Sequence, residues 1–98
     1  MMQSNTVLGR PLTLPCGATL TNRIAKAAMS EHLATKRQMP GERLIRLYSE
    51  WSRSGAAMHL TGNVMVDPTH LESRRNVAMK PDLDVDAFRR WARAGTSG

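Results

Sequence analysis

The chain has 98 residues, 41% of them hydrophobic and 22% charged, with a formal net charge of +6. That length suits one small domain, because domains run to roughly 100–200 residues, and this balance of apolar and charged residues excludes global disorder. A single cysteine, Cys16, excludes an internal disulfide and any CxxC metal or redox pair.

In chain order, the opening MMQSNTVLGRPLTLP has no apolar run long enough for a secretion signal, because Gly9, Arg10 and Pro11 interrupt it. No later segment approaches the roughly 20 apolar residues of a membrane span, so the expectation is a cytoplasmic protein with no membrane partner. Leu12–Leu14 and Thr19–Leu20 flank Pro15-Cys16-Gly17-Ala18, where Pro and Gly punctuate a turn, and this predicts a short β-hairpin. Arg23 to Ala28 follows, with Ile24, Ala25, Ala27 and Ala28 as its apolar members. Periodicity does not separate strand from helix there, and three alanines favour helix on propensity alone.

Met39-Pro40-Gly41 then opens a helix in which Leu44, Leu47, Tyr48 and Trp51 form one apolar stripe. Glu42 stands in its first turn, where the helix dipole favours an acid, and Gly55 is placed to cap its end. Met58 to Val66 reads as one buried strand bounded by Asp67-Pro68. Asp67 to Leu83 reads as a long polar connection. A last helix runs from about Val85 to Ala94 behind an Asp84 N-cap, with Val85, Phe88, Trp91 and Ala92 on one side. All four aromatic residues fall in the two predicted helices, and seven methionines supply adaptable bulk elsewhere. Strand, helix and buried strand in that order imply a right-handed βαβ unit with a parallel pair.

The sequence contains no nucleophile–base pair, carboxylate pair, metal cluster or phosphate loop. It does contain two strand ends that a parallel sheet would bring to one face: Ala27-Ala28-Met29-Ser30 and Thr61-Gly62-Asn63. Small residues there allow a flat ring to approach the backbone, and equally allow tight packing with no ligand at all. The positive charge has two readings as well. One is a small basic module that binds nucleic acid through Arg74-Arg75 and Arg89-Arg90. The other is a piece of a larger protein that carries the compensating acids. Scattered cations without an aromatic platform beside them favour the second.

The blocks LPCGATLTNRIAKAAMS, RLYSEWSRSGAAMHLTGNVMV, HLE and FRRWARAGT, in that order, resemble the Old Yellow Enzyme or NADH:flavin oxidoreductase family. The resemblance implies an α/β fold: an N-terminal hairpin and the first two βα units of a (β/α)8 TIM barrel. Such a barrel needs about 250 residues, so residues 1–98 would be an N-terminal fragment with the barrel not closed. It also implies FMN as cofactor, NAD(P)H as reductant, and hydride delivery from the flavin to an activated alkene. Carried over by position, Ala28 and Met29 would lie against the flavin ring. Ser30 would hydrogen-bond near flavin O4, and Gly62 would meet the pyrimidine edge, with Asn63 supporting that loop.

Two residues depart from the family pattern. Cys16 stands where the turn usually carries Asn, and His59 stands where Leu or Ile is usual; a buried histidine there needs a hydrogen-bond partner. Lys26 is expected to point into a polar layer inside the strand ring, and His32 toward substrate or solvent. His70 and Glu72 match a family loop without a derivable role. The third-strand pair that holds a substrate carbonyl, the later Arg and Tyr, and the phosphate loops have no counterpart. The expectation is therefore no catalytic residue here, weak stability, and either aggregation or pairing with a complementing barrel fragment.

Overall fold

Pro and Gly place the first turn where the pattern puts it. In the computed structural model, which describes residues 6–98, β1 (Leu12–Thr13) and β2 (Thr19–Leu20) pair antiparallel, Leu12 opposite Leu20. Gly17 adopts φ 96°, a conformation that costs glycine little. Leu14 N donates to Ala18 O at 2.8 Å to close the turn, and Cys16 is exposed on it. Residues 1–5, on which part of the N-terminal leader reading rests, lie outside the described residues.

The central unit is β3 (Ala25–Lys26), α1 (Glu42–Ser52) and β4 (Met58–His59). β3 and β4 pair in parallel, Ala25 with Met58 and Lys26 with His59, which is the parallel pair the element order predicts. The ladder is only two residues long, and Asn22 fixes its lower end. Asn22 is 4% exposed, donates from Nδ2 to Gly55 O at 2.6 Å, and accepts at Oδ1 from Ile24 N at 3.0 Å and Ala57 N at 3.2 Å. A buried amide with both ends satisfied is a rigid bracket between the entries to the two strands.

Two sequence expectations change here. The run Met58–Val66 is not one strand: it divides into β4 and β5 (Val64–Met65), with Leu60–Asn63 turning between them. The connection after it is not wholly loop, because β6 (Val77–Ala78) pairs in parallel with β5, Val64 with Val77. Both residues of β6 are buried. The break falls at Thr61-Gly62-Asn63, the polar interruption of the run, whereas a two-residue strand inside a polar stretch has no period to read. The described residues thus form three separate two-stranded sheets and no closed barrel.

α1 begins behind Gly41, without a side-chain cap, and ends at Arg53. Gly55 therefore lies beyond the cap, in a left-handed conformation at φ 92°. α2 (Val85–Gly95) begins as expected, with Ala87 N donating to the Asp84 carboxylate at 3.1 Å. The two helices pack on each other and hold most of the core: Leu44 and Tyr48 from α1 and Trp91 from α2, joined by Ala34 and Val77. Tyr48 meets Trp51 and Trp91 edge-on, with centroids 5.1 Å and 5.3 Å apart, the geometry that aromatic quadrupoles favour. The strand side is open by comparison: Met29, Met58, Leu60 and Val66 are all exposed. The radius of gyration is 15.2 Å, against about 13 Å for a compact domain of this size.

Candidate functional site

The ends of β3 and β4 carry the residues singled out by the sequence. Ala28, Met29 and Ser30 are exposed after β3, and Gly62 is half-buried after β4. The structure brings three of the four together. A Cβ on Gly62 would lie 2.1 Å from the Met29 carbonyl oxygen and 2.3 Å from Glu31 Oε1, so only glycine fits without displacing backbone. Ser30 Oγ donates to Asn63 Oδ1 across the same gap. Ala28 is exposed one residue earlier, with no hydrogen bond to the opposite strand end.

Glu31 completes this junction, and the sequence reading passed over it. Its Oε2 accepts from the Tyr48 hydroxyl and from Gly62 N at 3.0 Å. Burial pushes the Tyr48 hydroxyl well above the ordinary tyrosine range; the hydrogen bond to Glu31 and the carboxylate's charge push the same way, and Gly62 opposes them. The only signal in the sequence was an acid following an apolar strand, with its partners 17 and 31 residues away.

Lys26 departs from expectation. Its ammonium lies over the Trp51 ring, 4.6 Å from the centroid, and donates to Ala27 O at 2.7 Å. It faces α1 and not the interior of a strand ring, held by a cation–π contact. His59 is half-buried in β4, and its Nδ1 is shut off from solvent without a hydrogen-bond partner, the liability expected of a histidine at a strand position. His32 takes φ 57° and its Nδ1 lies 2.7 Å from Ser73 Oγ. In the exposed turn beyond β5, Thr69 N, the Thr69 hydroxyl and the His70 ring bind the Asp67 carboxylate and hold it down to about 2. Among the described residues no three His, Cys, Asp or Glu side chains are grouped to hold a metal ion.

A cavity of ≈ 630 Å³ lies elsewhere, between α1, α2 and β4, lined by Tyr48, Ser52, His59, Phe88 and Trp91 among others. It contains none of the four candidate residues. The candidate site is an exposed seam of small residues and backbone, suited to contact one face or edge of a planar group. It offers no cluster of donors for a phosphate.

No family model matches the chain. It is 40% identical over 90 residues to an NADH-dependent flavin oxidoreductase of Neonectria sp., covering 88% of this chain and 12% of that protein. It is 37% identical over 87 residues to another of that name from Hypocrea jecorina, covering 85% of this chain and 22% of the relative. The old yellow enzyme of Trypanosoma cruzi superposes with a TM-score of 0.77 at 25% identity, over 93% of this chain and 24% of that one. Morphinone reductase in complex with tetrahydroNAD gives 0.76 at 19% identity, over 95% and 24%, a likeness of fold alone. The fold is that of part of an old yellow enzyme TIM barrel. The chain belongs to the Old Yellow Enzyme, or NADH:flavin oxidoreductase, family and spans well under a third of the length of these relatives.

Proposed function

We propose that residues 1–98 form the N-terminal part of an FMN-binding oxidoreductase domain of the ene-reductase type, using NAD(P)H as reductant. The observation that carries this reading is the close approach of Gly62 to the Met29 carbonyl, which brings two parallel strand ends into backbone contact. Parallel barrels build their sites at that face. Ala28 and Met29 would support the ring through backbone and an exposed thioether, and Gly62 would admit its edge. Turning the Asn63 amide exchanges its oxygen for its nitrogen, which frees the Ser30 proton for a flavin carbonyl. A bound flavin supplies the hydride chemistry, while these residues supply position and shape.

Nothing in the junction serves as proton donor to substrate or as phosphate clamp, so the chain alone is expected to give no turnover. The rest of a barrel, in the same chain or a separate one, is the partner that suits it, because β4 has β3 on one side only. The basic-module alternative has less support: Arg89 and Arg90 lie 3.7 Å and 3.5 Å from Asp86, and Arg90 lies 3.5 Å from Glu42, so these cations are partly neutralised. The test is titration of FMN fluorescence with the purified chain. Saturable quenching is the expected result. A linear response up to high micromolar protein, with the helices folded by circular dichroism, would remove FMN binding from this chain.

A further inference from the structure

The carboxylate at the junction has a specific task. We propose that Glu31 is the positioning residue of the candidate site, holding the strand ends 28–30 and 61–63 at one fixed separation. Its use in flavin binding rests on the function proposed above, but the geometry does not.

The seam is otherwise poorly held. β3 and β4 share a ladder of two residue pairs, the Asn22 bracket sits at the opposite end, and Leu60–Asn63 is irregular. Gly62 is tied to the helix core through Glu31, and its amide also faces the Tyr48 hydroxyl. Glu31 Oε2 accepts the Gly62 amide at 3.0 Å and, at the same time, the Tyr48 hydroxyl. Tyr48 is 3% exposed and is wedged edge-on between Trp51 and Trp91. The position of the helix core is thereby passed through Tyr48 and Glu31 to Gly62. The other oxygen, Oε1, lies where a Gly62 Cβ would be, so the carboxylate packs alongside the glycine as well as binding its amide.

The neighbouring residue works in the same direction. Ser30 binds Asn63 while Glu31 binds Gly62, so two consecutive residues grip two consecutive residues across the seam. None of the ion pairs among the described residues involves Glu31. Its charge is met by two hydrogen bonds, and bonds to an ionised acceptor are roughly twice as strong as neutral ones. The Gly62 amide is consequently shared between Glu31 and the Tyr48 hydroxyl and is not free to donate to a bound ring. Glu31 itself touches no reacting atom; it acts through Gly62.

The experiment uses the 98-residue chain and the variants Glu31→Ala, Glu31→Gln and Tyr48→Phe. Two readings are taken: amide hydrogen exchange at Gly62 by NMR, and FMN affinity by fluorescence. Glu31→Ala is expected to speed Gly62 exchange and weaken FMN binding by about tenfold each. Glu31→Gln retains an oxygen able to accept both bonds and is expected within about threefold of the parent. The Ala57 amide, held at the far end by the Ile24 carbonyl and Asn22 Oδ1, is the control: general loosening moves both amides, whereas loss of the Glu31 contact moves Gly62 alone. Unchanged Gly62 exchange in a folded Glu31→Ala chain would overturn the proposal, as would Glu31→Gln behaving like the alanine variant. If Glu31→Ala does not fold, Tyr48→Phe decides, with faster exchange at Gly62 but not at Ala57 in favour and no change against. If the parent chain does not bind FMN, the flavin reading fails by itself, and the exchange data still decide the role of Glu31.

Discussion

The helix layer and the strand layer of this molecule are built to different standards. Between α1 and α2 the side chains interlock: Leu44 is 1% exposed, Tyr48 3% and Trp91 6%. β6 shares that core, but just past the ends of β3, β4 and β5 Met29 is 50% exposed, Leu60 50% and Val66 88%. The same chain thus carries a finished core on one side and an apolar surface without a cover on the other. The finished side sets where the strand ends sit, through Tyr48 and Glu31. The uncovered side is what the rest of a barrel would bury, and it is the reason for expecting poor solubility from the isolated chain.

Four measurements break or sharpen this contrast. Leu44→Ala strikes the finished side and is expected to remove about 2–5 kcal/mol, much of the stability of a chain this size. Urea melts should show the transition lost or displaced to very low denaturant. Alkaline pH acts on the same layer. Tyr48 holds its proton more tightly folded than unfolded, so its stabilising share is intact below about pH 10, the unfolded value, and declines above it. Between about pH 9 and about pH 11 the parent should lose stability relative to Tyr48→Phe, which has no proton to lose there. Parallel curves would mean that the hydroxyl titrates normally.

At the border of the two layers, His59→Leu removes the unpaired Nδ1 and should raise stability by about 1 kcal/mol, read as a melting temperature higher by roughly 5 °C. A lower melting temperature would show that the imidazole is already satisfied. On the uncovered side, Val66→Lys should change stability by less than about 0.5 kcal/mol while reducing light scattering at equal concentration. A large loss of stability would mean that Val66 is packed in solution.

The contrast also explains what could be read from the sequence. Helical stripes repeat every three or four residues, so Leu44, Tyr48, Phe88 and Trp91 announced the finished side, and the Asp84 cap and the turn at Gly17 were equally plain. The break at Leu60–Asn63 was marked by Thr61-Gly62-Asn63, but the apolar residues on either side, Met58 and Val64-Met65, made one longer strand look continuous. β6 was hidden because Val77 and Ala78 are two apolar residues in a polar stretch, buried by partners more than ten positions away. Candidate residues Met29, Ser30 and Gly62 do meet, a fact that depends on strand pairing. Glu31 could not be read locally, since neither an acid nor its spacing advertises a contact with a tyrosine on a later helix.

The Asn22 bracket has a consequence for how the molecule assembles. Its partners Gly55 and Ala57 lie 33 and 35 positions further on, and Glu31 reaches Gly62 across 31. Neither contact can form until the whole of α1 has been threaded between them, and closing such a loop costs chain entropy before any bond repays it. During synthesis the first strand therefore waits, unpaired, until the residues after the helix have emerged. Both the strand pair and the seam beyond it are therefore non-local features, set by residues on the far side of the helix.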